Sequence, residues 1–161
     1  MAWTSPNTVA TGDAVTASMY NTYVRDNSNE LAPFFAAWTS YTPVIKQGVT
    51  LTKTTTYAKY VQIGKFVWGN IRLAITSAGT AGQQVRVELP TAMVGAGSGL
   101  CLGNGMYWNG SQVYTVVAMG ANDGQFVNFD TQGGAGGFGV NPAITAANGH
   151  FITFTFHYEV T

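Results

Sequence analysis

The sequence predicts a mainly β fold, an antiparallel β-sandwich or jelly roll preceded by a short N-terminal α-helix. From Trp38 onward, apolar and polar residues alternate with period two, as in half-buried strands. Turn residues separate about eight such runs, at the spacing typical of sandwiches and barrels. No helical pattern alternates with the strands, so we do not expect a parallel α/β sheet.

The first predicted element is a short capped helix within residues 9–31. Thr16 is the expected N-cap, and Pro33 is expected to end the helix. An apolar stripe with one central amide recurs at helical spacing, formed by Tyr20, Tyr23, Val24, Asn27 and Leu31. Two roles remain open for the stripe. It packs on the β-domain or on a partner, or it forms a symmetric three-helix bundle in which Asn27 fixes the register.

Residues 38–161 are predicted to form a β-sandwich domain, and residues 1–37 an extended arm and helix. The expected strands are 41–44, 49–52, 57–63, 66–76, 84–89, 100–108, 112–119, 126–130 and 152–160. Asn109-Gly110 predicts a tight hairpin turn of the primed type. The last strand has the heaviest apolar face, so we expect it to be central in the sheet. That face comprises Ile152, Phe154, Phe156, Tyr158 and Val160.

Charge and composition argue against several functions. Charged residues make up 9% of the 161 residues, and the seven basic ones lie between Arg25 and Arg86 without clustering. We therefore expect no nucleic-acid partner. No apolar run approaches the ~20 residues that span a membrane, and no signal peptide is visible, so we expect no membrane insertion. A neutral surface of this kind suits a durable extracellular or virion protein.

No motif indicates catalysis, a metal or a cofactor. Gly134–Gly139 matches G-x-G-x-x-G, but Pro142 follows and leaves no room for the helix of a dinucleotide site. His150 and His157 lack the ligand spacing of a zinc site and are expected at a surface or interface. Cys101 is the single cysteine, and we expect a buried structural thiol. The sequence thus predicts no catalytic residues, no metal and no cofactor.

Four aromatic residues on or beside the hairpins are candidates for surface ligand contact. They are Trp68, Tyr107, Trp108 and Tyr114. Sugars stack their C–H faces on aromatic rings while nearby amides and carboxylates bind the hydroxyls. The same rings suit a core or a subunit interface, because aromatic residues dominate both. Both interpretations remain open from the sequence.

Two motifs, at the start and the end of the chain, carry a family resemblance. Thr11-Gly-Asp13-Ala-Val-Thr16-Ala-Ser and Asn21-Thr-Tyr-Val-Arg25-Asp26-Asn27 form one pattern, and Ile152-Thr-Phe154-Thr-Phe-His-Tyr158 forms the last strand. The first resembles the start of bacteriophage tail-fibre and minor tail proteins. The second, with Trp38-Thr-Ser-Tyr41-Thr-Pro43, is similar to β-rich fibre-head domains. The resemblance implies a homotrimeric virion protein with an outward β-domain and no catalytic residues.

These expectations combine into a leading hypothesis and two alternatives. The leading one is a non-enzymatic phage protein, a tail-associated fibre or receptor-binding protein that contacts the host surface, with a host glycan as candidate ligand. Its N-terminal segment would bind other virion proteins. The second is a capsid decoration or head-fibre protein, which the lack of a long shaft suits. A free lectin-like module is the third, but it leaves the N-terminal segment unexplained.

Overall fold

The computed structural model describes residues 10–31, 38–94, 100–131 and 136–160, which form a mainly β chain with a short N-terminal helix. The chain divides into two compact units, Met1–Ala37 and Trp38–Thr161. Its strands pair into an antiparallel, sandwich-like sheet. The predicted fold class is therefore confirmed.

The helix of the first unit consists of α1 (Ala17–Tyr20), a π-helical segment (Asn21–Asp26) and α2 (Asn27–Leu31). Thr16 is the N-cap as predicted, because its hydroxyl accepts a hydrogen bond from the Met19 backbone N–H at 3.2 Å. Pro33 lies outside the described residues. The π-helical segment was not expected, and its wider turns change the spacing of the predicted stripe.

The second unit, Trp38–Thr161, contains the strands, and we call it the β-unit. Their bounds are β1 Thr39–Ser40, β2 Ile45–Gln47, β3 Val49–Thr50, β4 Lys53–Ile63, β5 Phe66–Ile75, β6 Arg86–Glu88, β7 Cys101–Trp108, β8 Val113–Gly120, β9 Phe126–Asp130 and β10 Phe151–Glu159. The described strands form one sheet in the order β1-β4-β5-β10-β7-β8-β9-β6-β2-β3.

A short link joins the two ends of this sheet. β1 pairs with β4 at one end of the strand order, and β2 pairs with β6 near the other. Residues 41–44 connect them and are not a strand, which corrects the prediction. Tyr41 donates its N–H to the Ala58 carbonyl, while the Val44 carbonyl accepts from Glu88. Because so short a link spans both ends, the sheet curls over and encloses the core as a sandwich does.

The last strand is central, as predicted. β10 pairs with β5 on one side and with β7 on the other. Its predicted apolar face is buried, comprising Ile152, Phe154, Phe156, Tyr158 and Val160. Burying one such side chain contributes about 2 kcal/mol.

The hairpin between β7 and β8 is confirmed, but Asn109-Gly110 is not the central pair of a type I′ turn. A type I′ turn requires positive φ at both central residues. Gly110 has a φ of 90°, whereas Asn109 does not have a positive φ. The Asn109 side-chain oxygen instead accepts the backbone N–H groups of Ser111 and Gln112, at 3.0 and 2.7 Å. The asparagine thus stabilises the loop through its side chain.

Gln47 is a fully buried polar residue that joins β2 to two loops. Its Nε2 donates to the carbonyls of Gln83 and Ile144, at 2.9 and 2.7 Å, and its Oε1 accepts from the Ala146 N–H at 2.7 Å. Nothing in the sequence pattern predicted this cluster. All three partners of Gln47 are backbone groups. An apolar residue at this position would therefore leave two carbonyls and one N–H group without these hydrogen bonds.

Two glycines of β7 lie against the backbone of β10. A Cβ added at Gly105 would stand 2.6 Å from the Cα of Phe154, and one added at Gly103 would stand 2.9 Å from the carbonyl carbon of Thr155. Both distances are well inside van der Waals contact. Glycine in a strand interior marks such close approaches and the bends of curled sheets. The contact of β7 with β10 therefore depends on these two residues.

We predict that Gly105→Ala lowers the free energy of unfolding by about 3 kcal/mol, because the clash is with backbone that cannot rotate away. Urea denaturation of the purified chain measures this. Gly82→Ala is the control, since it has no neighbour within 4 Å and a φ of 70°, so it should cost only about 1–2 kcal/mol. Equal losses in the two variants would contradict the close-approach argument.

Candidate functional site

The most prominent exposed aromatic group in the described residues is a tryptophan pair. Trp68 on β5 is 46% exposed and Trp38, just before β1, is 37% exposed. Their ring centroids are 5.2 Å apart and the ring planes are tilted by 57°. Exposed aromatic groups of this kind mark candidate interaction surfaces. Trp68 thus lies on the surface, which is one of the positions that the sequence left open.

The alternation of β5 explains why Trp68 points outward. One side of the strand is buried in the core and comprises Val67, Ile71, Leu73 and Ile75. The other side comprises Phe66, Trp68, Asn70 and Arg72, which are exposed or half-buried. Since side chains alternate along a strand, burying the first set exposes the second. We call the second side the outer face of the sheet.

The outer face carries a row of polar residues beside the tryptophan pair. Ser40 is opposite Lys59, Lys59 is opposite Asn70, and Asn70 is opposite Thr155. These four residues, which we call the polar row, therefore lie side by side across β1, β4, β5 and β10. With strands about 4.8 Å apart, the row is roughly 14 Å long. It is separated from Trp68 by about 7 Å along the strand.

The charge of this region is positive. The β4–β5 hairpin contains Lys53, Lys59, Lys65 and Arg72 and no acidic residue. Among the described residues, Lys59 and Lys65 form no ion pair. The nearest acid in the register is Glu159, opposite Phe66. Arg72 lies over the ring of Phe151, 4.4 Å from its centroid.

Trp108 also lies on the outer face but far from Trp68. It is half-buried and its ring stacks with that of Phe151, with centroids 6.5 Å apart. Trp108 is opposite Phe151 on β10, whereas Trp68 is opposite His157. Six positions of a strand span about 20 Å. The two tryptophans therefore do not form one small-molecule site.

Tyr107 and Tyr114 point to the other side of the sheet, and Tyr107 corrects the prediction of a surface contact. Tyr107 is fully buried and packs against Phe138. Burial raises the pKa of its hydroxyl. Tyr114 is half-buried and also packs against Phe138. The reason is the strand alternation, which places Tyr107 and Trp108 on opposite faces.

The predicted helix stripe is partly exposed within its own chain. Tyr20 is 56% exposed and Val24 is 48% exposed, while Tyr23 is half-buried. Asn27 is buried, and its side-chain amide donates to the Tyr23 carbonyl at 3.2 Å. The side chain of Leu31 lies outside the described residues. The role of this stripe remains a prediction.

Cys101 is exposed, which corrects the expectation of a buried thiol. It lines a shallow groove of about 260 Å³ with Leu100, Leu102 and His157. The regular pairing of β7 with β8 is interrupted by a register irregularity between Cys101 and Gly103. The buried position on this strand is that of Leu102, which is 3% exposed. Strict alternation from the buried Tyr107 would place Cys101 inside, so it is the register irregularity that turns Leu102 inward and Cys101 outward.

The glycine-rich loop packs against the domain where it is described. Gly134 and Ala135 of the predicted motif lie outside the described residues. Phe138 is fully buried, and its N–H donates to the Phe129 carbonyl at 2.7 Å. In the part of the chain that the structure covers, no helix follows the loop, so the arrangement of a dinucleotide site is not present there.

Polar groups on β6 and β9 bind mainly to one another. Arg86 donates to Asn128 at 2.9 Å and pairs with Asp123. Burial alone would raise the pKa of Asp123, but hydrogen bonds from Arg86 and from the N–H groups of Gln125 and Phe126 lower it. This cluster borders a groove of about 310 Å³. Its charged groups are thus already paired within the chain.

A metal-ligand cluster and a membrane-spanning helix are both absent from the described residues. No group of three or more histidine, cysteine or acidic residues in that part could hold a metal ion. None of its helices is both long and apolar enough to cross a membrane. Comparisons with protein-family models, curated proteins and solved structures found no match to this chain.

His150 is half-buried, and its hydrogen bonds require an unprotonated Nδ1. Its Nδ1 accepts the Ala147 N–H at 3.3 Å and lies 3.0 Å from the Tyr107 hydroxyl. Because Nδ1 accepts from Ala147, the Tyr107 hydroxyl must donate to it. Burial lowers the pKa of His150. A proton on Nδ1 would point at two hydrogen-bond donors. This repulsion would also lower the pKa of His150.

We predict that the protein loses stability as the pH falls below about 6.5, the unfolded pKa of histidine. The folded pKa is lower than the unfolded one, so the unfolded state binds the proton first. The contribution is complete above the unfolded pKa and declines toward the folded pKa. Melting temperatures at pH 7.5 and 5.5 measure it, and His150→Gln should reduce the difference.

His157→Gln is the control, because it removes the other imidazole of the chain from the exposed side of β10. It is expected to leave the difference in melting temperature in place. If both variants reduce the difference equally, His150 is not its source.

Proposed function

We propose that this chain is a non-enzymatic structural protein of a bacteriophage particle, a tail-associated fibre or receptor-binding protein. Residues 1–37 bind other virion proteins, and residues 38–161 contact the host surface. The protein acts at the virion surface as a homotrimer. No catalytic residue, metal or cofactor is assigned to it.

The observation that carries the proposal is the separation of the chain at residue 37. The motif from Thr11 to Asn27, which resembles phage tail proteins, lies in one compact unit, and the β-strands lie in the other. The motif includes a capped helix with Tyr20 and Val24 exposed. Exposed apolar side chains on a helix favour a contact with another chain.

The outer face of the sheet supports host contact. Trp38 and Trp68 are exposed there beside the polar row. Aromatic rings next to hydrogen-bonding groups are typical of recognition surfaces. In the described part of the chain, the inner side of the sheet is the buried core.

A capsid decoration or head-fibre protein is the second candidate. In the sequence, the unit with the strands begins at Trp38, directly after the unit that ends at Ala37, so no long run of residues is available between them for a shaft. A protein that lies close to the shell needs no shaft. The two candidates share the anchoring role of residues 1–37 and differ in position on the particle.

The first test is the position of the chain on intact particles of the phage that encodes it. Gold-labelled antibodies against residues 38–161 are viewed by electron microscopy. We expect label at the tail tip or baseplate, because the β-unit would face the host. Label over the head would select the decoration candidate, and particles without this chain would contradict both. Antibody from a non-immunised animal is the control.

The homotrimer is tested separately by light scattering at micromolar concentration. We expect three times the 17.1 kDa of one chain. A mass equal to one chain would contradict the trimer. Tyr20→Ser with Val24→Ser locates the contact, because lowering the mass would place it on the helix. Val15→Ser, an exposed residue outside the helix, is the matched control.

A further inference from the structure

We propose that the polar row and the Trp38–Trp68 pair form a binding site for a negatively charged oligosaccharide. The oligosaccharide would lie across β1, β4, β5 and β10 on the outer face. The inference deepens the proposed function and rests on it for the source of the sugar, the host surface. The binding itself is a property of the purified chain.

The tryptophan pair provides the apolar part of the site. Both rings are exposed, and their planes are tilted by 57°, so the two rings are oriented in different directions. Neither indole N–H has a hydrogen-bond partner among the described residues. A sugar has C–H faces that stack on such rings. Its hydroxyl oxygens can accept hydrogen bonds from the indole N–H groups.

The polar row provides hydrogen-bonding groups at regular spacing. Ser40, Lys59 and Thr155 are exposed, and Asn70 between them is half-buried. The Asn70 side chain has no partner in the described part of the chain. The Thr155 hydroxyl donates to the Asn104 carbonyl at 3.4 Å and keeps its oxygen as an acceptor. The row therefore presents hydroxyl, ammonium and amide groups over about 14 Å across four strands. An extended oligosaccharide offers hydroxyls along a line of the same kind.

Charge selects an acidic sugar over a neutral one. Lys59 is in the row, and Lys65 is in the turn that precedes Phe66. Neither is paired among the described residues, so both remain available to a carboxylate, sulfate or phosphate group. The whole hairpin contributes four positive charges and no negative one. A polyanion would be attracted from solution by the same field.

A second copy of this chain is a less suitable occupant. Obligate interfaces are depleted in lysine at their centre, because a buried ammonium group must be paired. Lys59 lies in the middle of this face and the hairpin has no acid to pair it. The groove at Arg86, Asp123 and Asn128 is also less suitable for a ligand, since those side chains already bind one another.

The test is calorimetric titration of the full chain with a panel of acidic oligosaccharides bearing uronate, sialyl, sulfate or phosphate groups. Neutral oligosaccharides of equal length are titrated in parallel. We expect at least one acidic member to bind at least tenfold more tightly than its neutral counterpart. Trp68→Ala should weaken that binding at least tenfold. Lys59→Gln should reduce the preference for the acidic member severalfold.

Two control variants separate this site from the rest of the surface. Trp108→Ala removes another outer-face tryptophan about 20 Å away, and Lys46→Gln removes a cation that lies over Phe126 instead. Both should leave the affinity unchanged. Melting curves check that each variant folds, and Trp68→Phe, which keeps a ring, should retain part of the binding.

Three results would overturn the inference. They are no binding of any acidic member, equal loss in Trp68→Ala and Trp108→Ala, and displacement of the sugar by a DNA oligonucleotide of equal charge, which would indicate general binding of polyanions. Absence of sugar binding together with gold label at the tail would reject the site and retain the proposed function. Sugar binding by the purified chain, together with particles that lack the chain, would retain the site and reject the proposed function.

Discussion

The close contact between β10 and the glycines of β7 is the constraint on which the rest of the fold depends. β10 supplies the most heavily apolar strand face and pairs with strands on both sides. Gly103 and Gly105 allow the backbone of β7 to approach it where any side chain would clash. A similar relation holds on the other side, where a Cβ on Gly69 would clash with the ring of Phe156, whose Cε1 would lie 2.8 Å away. Large inward rings and missing side chains opposite them are thus matched across the centre of the sheet.

Hydrogen bonds between polar groups hold the two ends of the curled sheet in place. Residues 41–44 carry the chain from β1, which pairs with β4, to β2, which pairs with β6. Gln47 at the end of β2 binds two neighbouring loops. Its buried amide has every donor and acceptor occupied, so it specifies one arrangement of the loops as well as stabilising it. Apolar packing holds the interior, whereas hydrogen bonds to backbone groups determine how the ends of the sheet meet.

The candidate site follows from that same closure. Trp38 precedes β1, and β1 pairs with β4 only because the sheet curls. The pairing brings Trp38 beside Trp68 and adds Ser40 to the polar row. A face with free ammonium, amide and indole groups is therefore assembled from the β4–β5 hairpin and from β1 and β10, which come from other parts of the sequence. Its positive charge and its rings are the properties on which both the proposed host contact and the proposed sugar site rest.

The sequence by itself determined the class of fold, the capped helix, the long hairpin and the central last strand, because period-two and helical patterns are local and the core is strongly apolar. Strand alternation alone could also have separated Tyr107 from Trp108, since neighbours in a strand face opposite sides. It could not have placed Cys101, because a register irregularity reverses the alternation at that end of β7. Only the tertiary structure decided the strand order, the Gln47 cluster and the pairing of Trp38 with Trp68. These depend on contacts between residues far apart in the chain, which no local pattern encodes.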